Sequence, residues 1–119
     1  MGRVKALRLV LLGQIHSAVV TTADFDEVDG LRLDGALLEA AGFVEHEKVE
    51  VSDGSSGTRL SCHLRKSKKD GEVALCGAVA LLIKPGARVS IASFGWMKEK
   101  AASRHEPAIV RLDDDNKVR

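Results

Sequence analysis

Clusters of turn-forming residues interrupt this chain so often that a long helix has nowhere to run. Asp29-Gly30, Asp53-Gly54-Ser55-Ser56-Gly57, Lys69-Asp70-Gly71 and Pro85-Gly86 punctuate it at short intervals. Each places glycine, or proline with glycine, beside a polar residue, the chemistry of a tight turn. The segments between are short and rich in valine, leucine and isoleucine, so the expected class is mainly β. Lys48 to Ser52 alternates Lys48 and Glu50 with Val49 and Val51, the period-2 pattern of a half-buried strand. Arg59 to Leu64 alternates too, with Leu60, Cys62 and Leu64 on one face and Arg59, Ser61 and His63 on the other. Ala6 to Leu12, Ile15 to Thr22, Val73 to Cys76, Arg88 to Ser93 and Ala108 to Leu112 complete the expected strands.

Two helices fit between them. Asp34 is placed to cap one through Leu37, Leu38 and Ala41, with Gly42 as its stop. The other is expected from Gly77 through Ala80 to Ile83, ending before Pro85-Gly86. Asp29-Gly30 is expected to form a hairpin turn, and the tail from Asp113 to Arg119 to fray.

The chain's 119 residues make one domain, 1–119, with no internal repeat or linker. Aromatic residues are only 3% of it, so the core must be aliphatic. Eighteen basic against seventeen acidic residues leave a net charge of +1, which argues against a nucleic-acid partner. The one basic run, Arg65-Lys66-Ser67-Lys68-Lys69, ends in a turn signal and is expected to be a solvated loop. The apolar run Leu9 to Leu12 is too short for a signal peptide, and no segment approaches the roughly 20 apolar residues of a membrane span. Cys62 and Cys76 stand in neither a CxxC nor a finger spacing. The expectation is a cytoplasmic protein with free thiols, no metal and no membrane contact.

Gln14-Ile15-His16-Ser17-Ala18-Val19-Val20-Thr21-Thr22-Ala23-Asp24 resembles the opening of the aspartate 1-decarboxylase family. The likeness continues through Gly30-Leu31-Arg32-Leu33-Asp34 and Leu37-Leu38-Glu39-Ala40-Ala41. It resumes at Asp53 to Arg59, Gly77-Ala78-Val79-Ala80, Pro85-Gly86 and Ile91-Ala92-Ser93-Phe94, and so covers most of residues 5 to 113. The resemblance implies a six-stranded double-psi β-barrel with two or three short helices, assembled as a homotetramer with sites between subunits. It also implies a chemistry: members cut themselves at a Gly-Ser bond and convert the serine to a pyruvoyl group. That ketone forms a Schiff base with aspartate and draws off its electrons.

Here the matching pair is Asp29-Gly30, and Gly30 has no hydroxyl to attack a carbonyl. Aligned on the family, the substrate-binding lysine falls at Gln14 and the proton-donating tyrosine at His63. The threonine beside that tyrosine falls at Cys62, and an asparagine at Cys76. His16, Arg59 and Gly77 are kept. The resemblance implies for His16 a structural hydrogen bond within the barrel. Arg59 matches the arginine that grips the substrate carboxylate, and a planar guanidinium suits that task. A histidine can move a proton near neutral pH, so His63 is a candidate acid or base. Cys76, before an expected helix start, should have a lowered thiol pKa and act as nucleophile or acid. The N–H groups of Gly77 and Ala78 are placed to stabilise negative charge. Cys62 joins the substrate-binding set with Gln14, although its strand face points to the core.

These residues suggest a small-molecule enzyme without cofactor, acting on a carboxylate or carbonyl compound by acid–base or thiol chemistry in specialised biosynthesis. Two other readings stand beside it: a non-catalytic binding or structural homologue, and an aspartate 1-decarboxylase with unusual processing. Trp96-Met97 is expected in core or interface packing.

Overall fold

A computed structural model describes residues 6–119. It holds eight strands: β1 (Leu7–Val19), β2 (Thr22–Asp24), β3 (Gly30–Asp34), β4 (Lys48–Asp53), β5 (Arg59–Ser67), β6 (Val73–Cys76), β7 (Arg88–Lys98) and β8 (Ala108–Arg111). Two helices, α1 (Gly35–Ala40) and α2 (Glu99–Arg104), and a 3-10 helix at Gly77–Leu81 complete it. The strands join in the order β2-β6-β3-β5-β4-β7-β1-β8. Three of the pairings are parallel, β1 with β8, β2 with β6 and β3 with β5. This mainly β architecture, with crossed parallel pairs, agrees with the double-psi β-barrel that the resemblance implies.

The core is aliphatic, as the composition requires. Val49 and Val51, Leu60 and Leu64, Leu31 and Leu33, Val73, and Val89 and Ile91 all point inward at period 2. Phe43 is the one aromatic in the buried cluster. Asp34 caps α1 by accepting from the Ala36 N–H at 2.9 Å, and Gly42 at φ +72° ends it.

Several expectations give way. The first two strands are one, because Gly13 does not break the ladder: its missing Cβ lets β1 pass the end of α1, where a Cβ would stand 2.3 Å from the Ala41 carbonyl oxygen. The register slips between Leu11 and Gly13 and between Ile15 and Ala18 bend that strand. Asp29-Gly30 is no hairpin turn, since Gly30 opens β3 and β6 lies between β2 and β3. Arg65, Lys66 and Ser67 belong to β5, which pairs with β3, so the basic run is only partly loop. The helix from Gly77 shrinks to a 3-10 turn, while α2 carried no cap signal and was not expected.

The tail is clasped rather than frayed. Asn116 is buried, and its side-chain amide donates to the Val19 and Gly71 carbonyls and accepts from the Val19 N–H at 2.7 Å. The outer halves of β1 and β7 form a two-stranded arm: among the described residues, Leu7 to Leu11 pair only with Phe94 to Lys98. Leu7, Leu9, Phe94 and Trp96 are exposed on it, so Trp96 is no core residue.

Candidate functional site

Three neighbouring strands bring the candidate residues together. β3 lies between β5 and β6, and Leu31 pairs with Leu64 while Gly30 pairs with Cys76. Gly30 therefore has His63 on one side and Cys76 on the other, each one strand spacing away, about 5 Å. On this face of the sheet stand His63 and Arg65 of β5, Arg32 of β3 and Cys76 of β6; Leu31, Leu33, Leu64 and Leu75 fill the opposite face and make the core.

Gly30 adopts φ +135°, a backbone conformation that side chains rarely tolerate. A Cβ built there would stand 3.1 Å from His63 Nε2, 3.1 Å from Arg65 Cδ and 3.2 Å from the His63 carbonyl. The imidazole thus faces the place where a residue-30 side chain would begin. His63 is half-buried and also flanks Lys48 of β4. Beside it on the outer face opens a groove of about 360 Å³ lined by Leu9, Lys48, Val49, Glu50, Ser61, Phe94 and Trp96. That size admits a small molecule.

Cys76 has no exposed surface, yet it is absent from the apolar cluster. It occupies the outer face beneath polar neighbours, and burial pushes its thiol pKa up despite Arg32 and Arg65 nearby. Burial therefore runs against the lowered thiol pKa expected for Cys76: the 3-10 turn at Gly77 is short, and desolvation outweighs the neighbouring guanidiniums. The N–H pair at the turn is also taken in part. Asp29 accepts from the Ala78 N–H at 3.2 Å, and its carboxylate fills the space a Cβ on Gly77 would need.

Cys62 faces the core, packed against the buried cluster, and burial pushes its pKa up to about 11. The fold therefore favours its neutral form. That contribution to stability is fully present below the ordinary value of 9.0 and is lost as pH rises through about 11. Two units correspond to about 2–3 kcal/mol. Urea midpoints measured from pH 8 to 11 should fall more steeply for the wild type than for Cys62→Val; parallel curves would refute the assignment.

The other candidates stand apart within one chain. Arg59 is exposed, donating to Ser52 Oγ at 3.3 Å, and lies four residues from His63, about 13 Å along the strand. Gln14 is on β1, paired with Ala92 and Ile109. The His16 ring is exposed and its backbone carbonyl, not its side chain, accepts from the Leu112 N–H. Sequence reasoning missed Arg65, Arg32 and Asp29. Arg65 was findable, since period 2 puts it on the face of His63.

An aspartate decarboxylase family model matches residues 6–119. The chain belongs to the aspartate decarboxylase family. An aspartate 1-decarboxylase of Clostridium beijerinckii is 38% identical over 111 residues, covering 92% of this chain and 90% of that protein. Another from Bacillus velezensis is 35% identical over 112 residues, covering 93% and 88%. The family assignment therefore spans the whole barrel, including the Gly30 site. No helix among the described residues is long and apolar enough to cross a membrane.

Proposed function

We propose that this aspartate decarboxylase family member does not cut itself or carry a pyruvoyl group. It works instead as a small-molecule enzyme on a carboxylate or carbonyl substrate, with His63 moving the proton. The observation that carries this reading is the geometry at Gly30. The residues do not fit a pyruvoyl group, which is made from a side chain: Gly30 has neither the hydroxyl nor the β-carbon, and His63 and Arg65 crowd the place. His63 Nε2 is then the ionisable atom aimed at the vacated position. Cys76, neutral and covered, serves as a hydrogen-bonding neighbour rather than a nucleophile. Arg59 is the outer carboxylate anchor, with Gln14, Cys62, Gly77 and Ala78 kept as flanking positions that the family resemblance suggests.

The reaction class that follows is proton transfer at a carbon beside a carbonyl: His63 takes the proton, the carbonyl oxygen takes the electron pair, and both return in the reverse step. The test is solvent exchange. Incubated in D2O with small 2-oxo and 2-amino acids, the wild type should incorporate deuterium at C3 of a 2-oxo acid or at the α-carbon of a 2-amino acid, and His63→Gln should lose at least a hundredfold of that rate. Exchange unchanged in His63→Gln would sink the assignment.

A second reading, an aspartate 1-decarboxylase, is favoured by the names of the relatives. It requires carbon dioxide release from aspartate, which our reading excludes. We also propose a cytoplasmic homotetramer, supported by the apolar arm, since exposed Leu7, Leu9 and Trp96 suit a subunit contact. Light scattering should give a multiple of 12.8 kDa, and a monomer would refute it.

A further inference from the structure

Two of the chain's four aromatic side chains, Phe94 and Trp96, line the groove between the arm and β4. We propose that this groove holds an aromatic α-amino acid, with its ring against Phe94 and Trp96, its carboxylate at Lys48 and its ammonium at Glu50. The inference goes beyond proton transfer at His63 and does not depend on it.

The sheet registers assemble the site. Trp96 stands opposite Leu9, and Glu50 stands opposite Ala92 on one side and Ser61 on the other. Side chains alternate along a strand, so Leu9, Phe94, Trp96, Lys48, Glu50 and Ser61 share one face. The back of the arm is closed by Leu12, whose Cδ1 lies 2.6 Å from where a Cβ on Gly95 would stand. The front is open: Trp96 is 67% exposed, Leu9 55% and Phe94 40%. Large apolar side chains left together in water mark a binding surface. A subunit packed at Leu7, farther out on the arm, leaves the floor of the groove to the ligand.

The polar groups choose the occupant. Lys48 and Glu50 lie two residues apart on β4, about 7 Å. Among the described residues neither takes part in an ion pair, with the other or elsewhere. A simple anion would meet Glu50 as a like charge, and a simple cation would meet Lys48 so. The same argument disfavours a nucleic acid or an anionic membrane. A zwitterion satisfies both groups, and Ser61 adds an exposed hydroxyl beside Glu50. With both charges on the floor, the side chain is the part left to reach the arm, where an aromatic ring stacks on Trp96 and Phe94. The groove's volume of about 360 Å³ suits a ligand of that size.

Trp96 is the only tryptophan, so the indole emission of the full chain reports on this groove. Titrated with L-phenylalanine, that emission should change saturably. Hydrocinnamate lacks the ammonium, phenethylamine the carboxylate and L-aspartate the ring, and each should bind roughly fivefold more weakly or worse. Lys48→Met should weaken phenylalanine and leave phenethylamine unchanged, while Glu50→Gln should weaken phenylalanine and leave hydrocinnamate unchanged. The proposal is overturned if phenylalanine causes no saturable change up to its solubility limit, or if L-aspartate or hydrocinnamate binds as tightly. Affinity for phenylalanine unaltered in both variants also overturns it. Emission that shifts with protein concentration but not with phenylalanine would show a second copy filling the groove, and would overturn it too. Failure of the enzymatic reading would look different: emission that answers to phenylalanine, with no substrate showing His63-dependent exchange.

Discussion

Gly77→Ala should cost about 3–4 kcal/mol of folding stability, the largest effect of any single methyl in this site. Gly77 sits at φ +80°, in the left-handed region where a side chain strains the backbone. Its Cβ would stand 1.7 Å from Asp29 Oδ1 and 2.8 Å from Asp29 Cα. The carboxylate could swing away, but the Cα cannot move without shifting the entry to β3. Both the strain and the loss of the Asp29 bond to Ala78 add to the cost. Against the 5–15 kcal/mol of a typical domain this is severe, and the melting temperature should fall by roughly 10–15 °C. A fall of less than about 3 °C would mean that Asp29 does not pack on this turn.

Gly30→Ser should not restore self-cleavage, and should destabilise by about 2 kcal/mol. The φ of +135° is the main penalty, since two of the three close atoms, His63 Nε2 and Arg65 Cδ, are on side chains able to yield. The hydroxyl would return, but the groups around it would not: Cys62 points to the core and Cys76 is fully buried between β2 and β3. The variant should therefore migrate uncut with a melting temperature several degrees lower. Appearance of two fragments would show that the cleavage machinery persists and that only the serine is lost.

Much of the fold could be read from local pattern. The alternation of Val49 and Val51 against Lys48 and Glu50, and the pair Asp34 and Gly42 around α1, each describe their own surroundings and were realised as such. What escaped depends on distant chain. Gly13 looked like a break because the Ala41 carbonyl that requires it is 28 residues away, and Asn116 looked like tail because its partners are Val19 and Gly71. The site divides in the same way. His63 beside Gly30 follows from the family pattern and the strand alternation. The rise in the Cys76 pKa does not, because sequence shows a residue before a turn and not the burial that decides its charge. Arg32 was invisible as a site residue because its buried anchor, Glu72, is forty residues on.

The central claim is that chemistry at position 30 has been abandoned, and the intact mass of the purified wild-type chain tests it most directly. One species at the full 12.8 kDa, unchanged by a carbonyl-trapping reagent, is expected. Two fragments divided between Asp29 and Gly30, or a reagent adduct at residue 30, would contradict it.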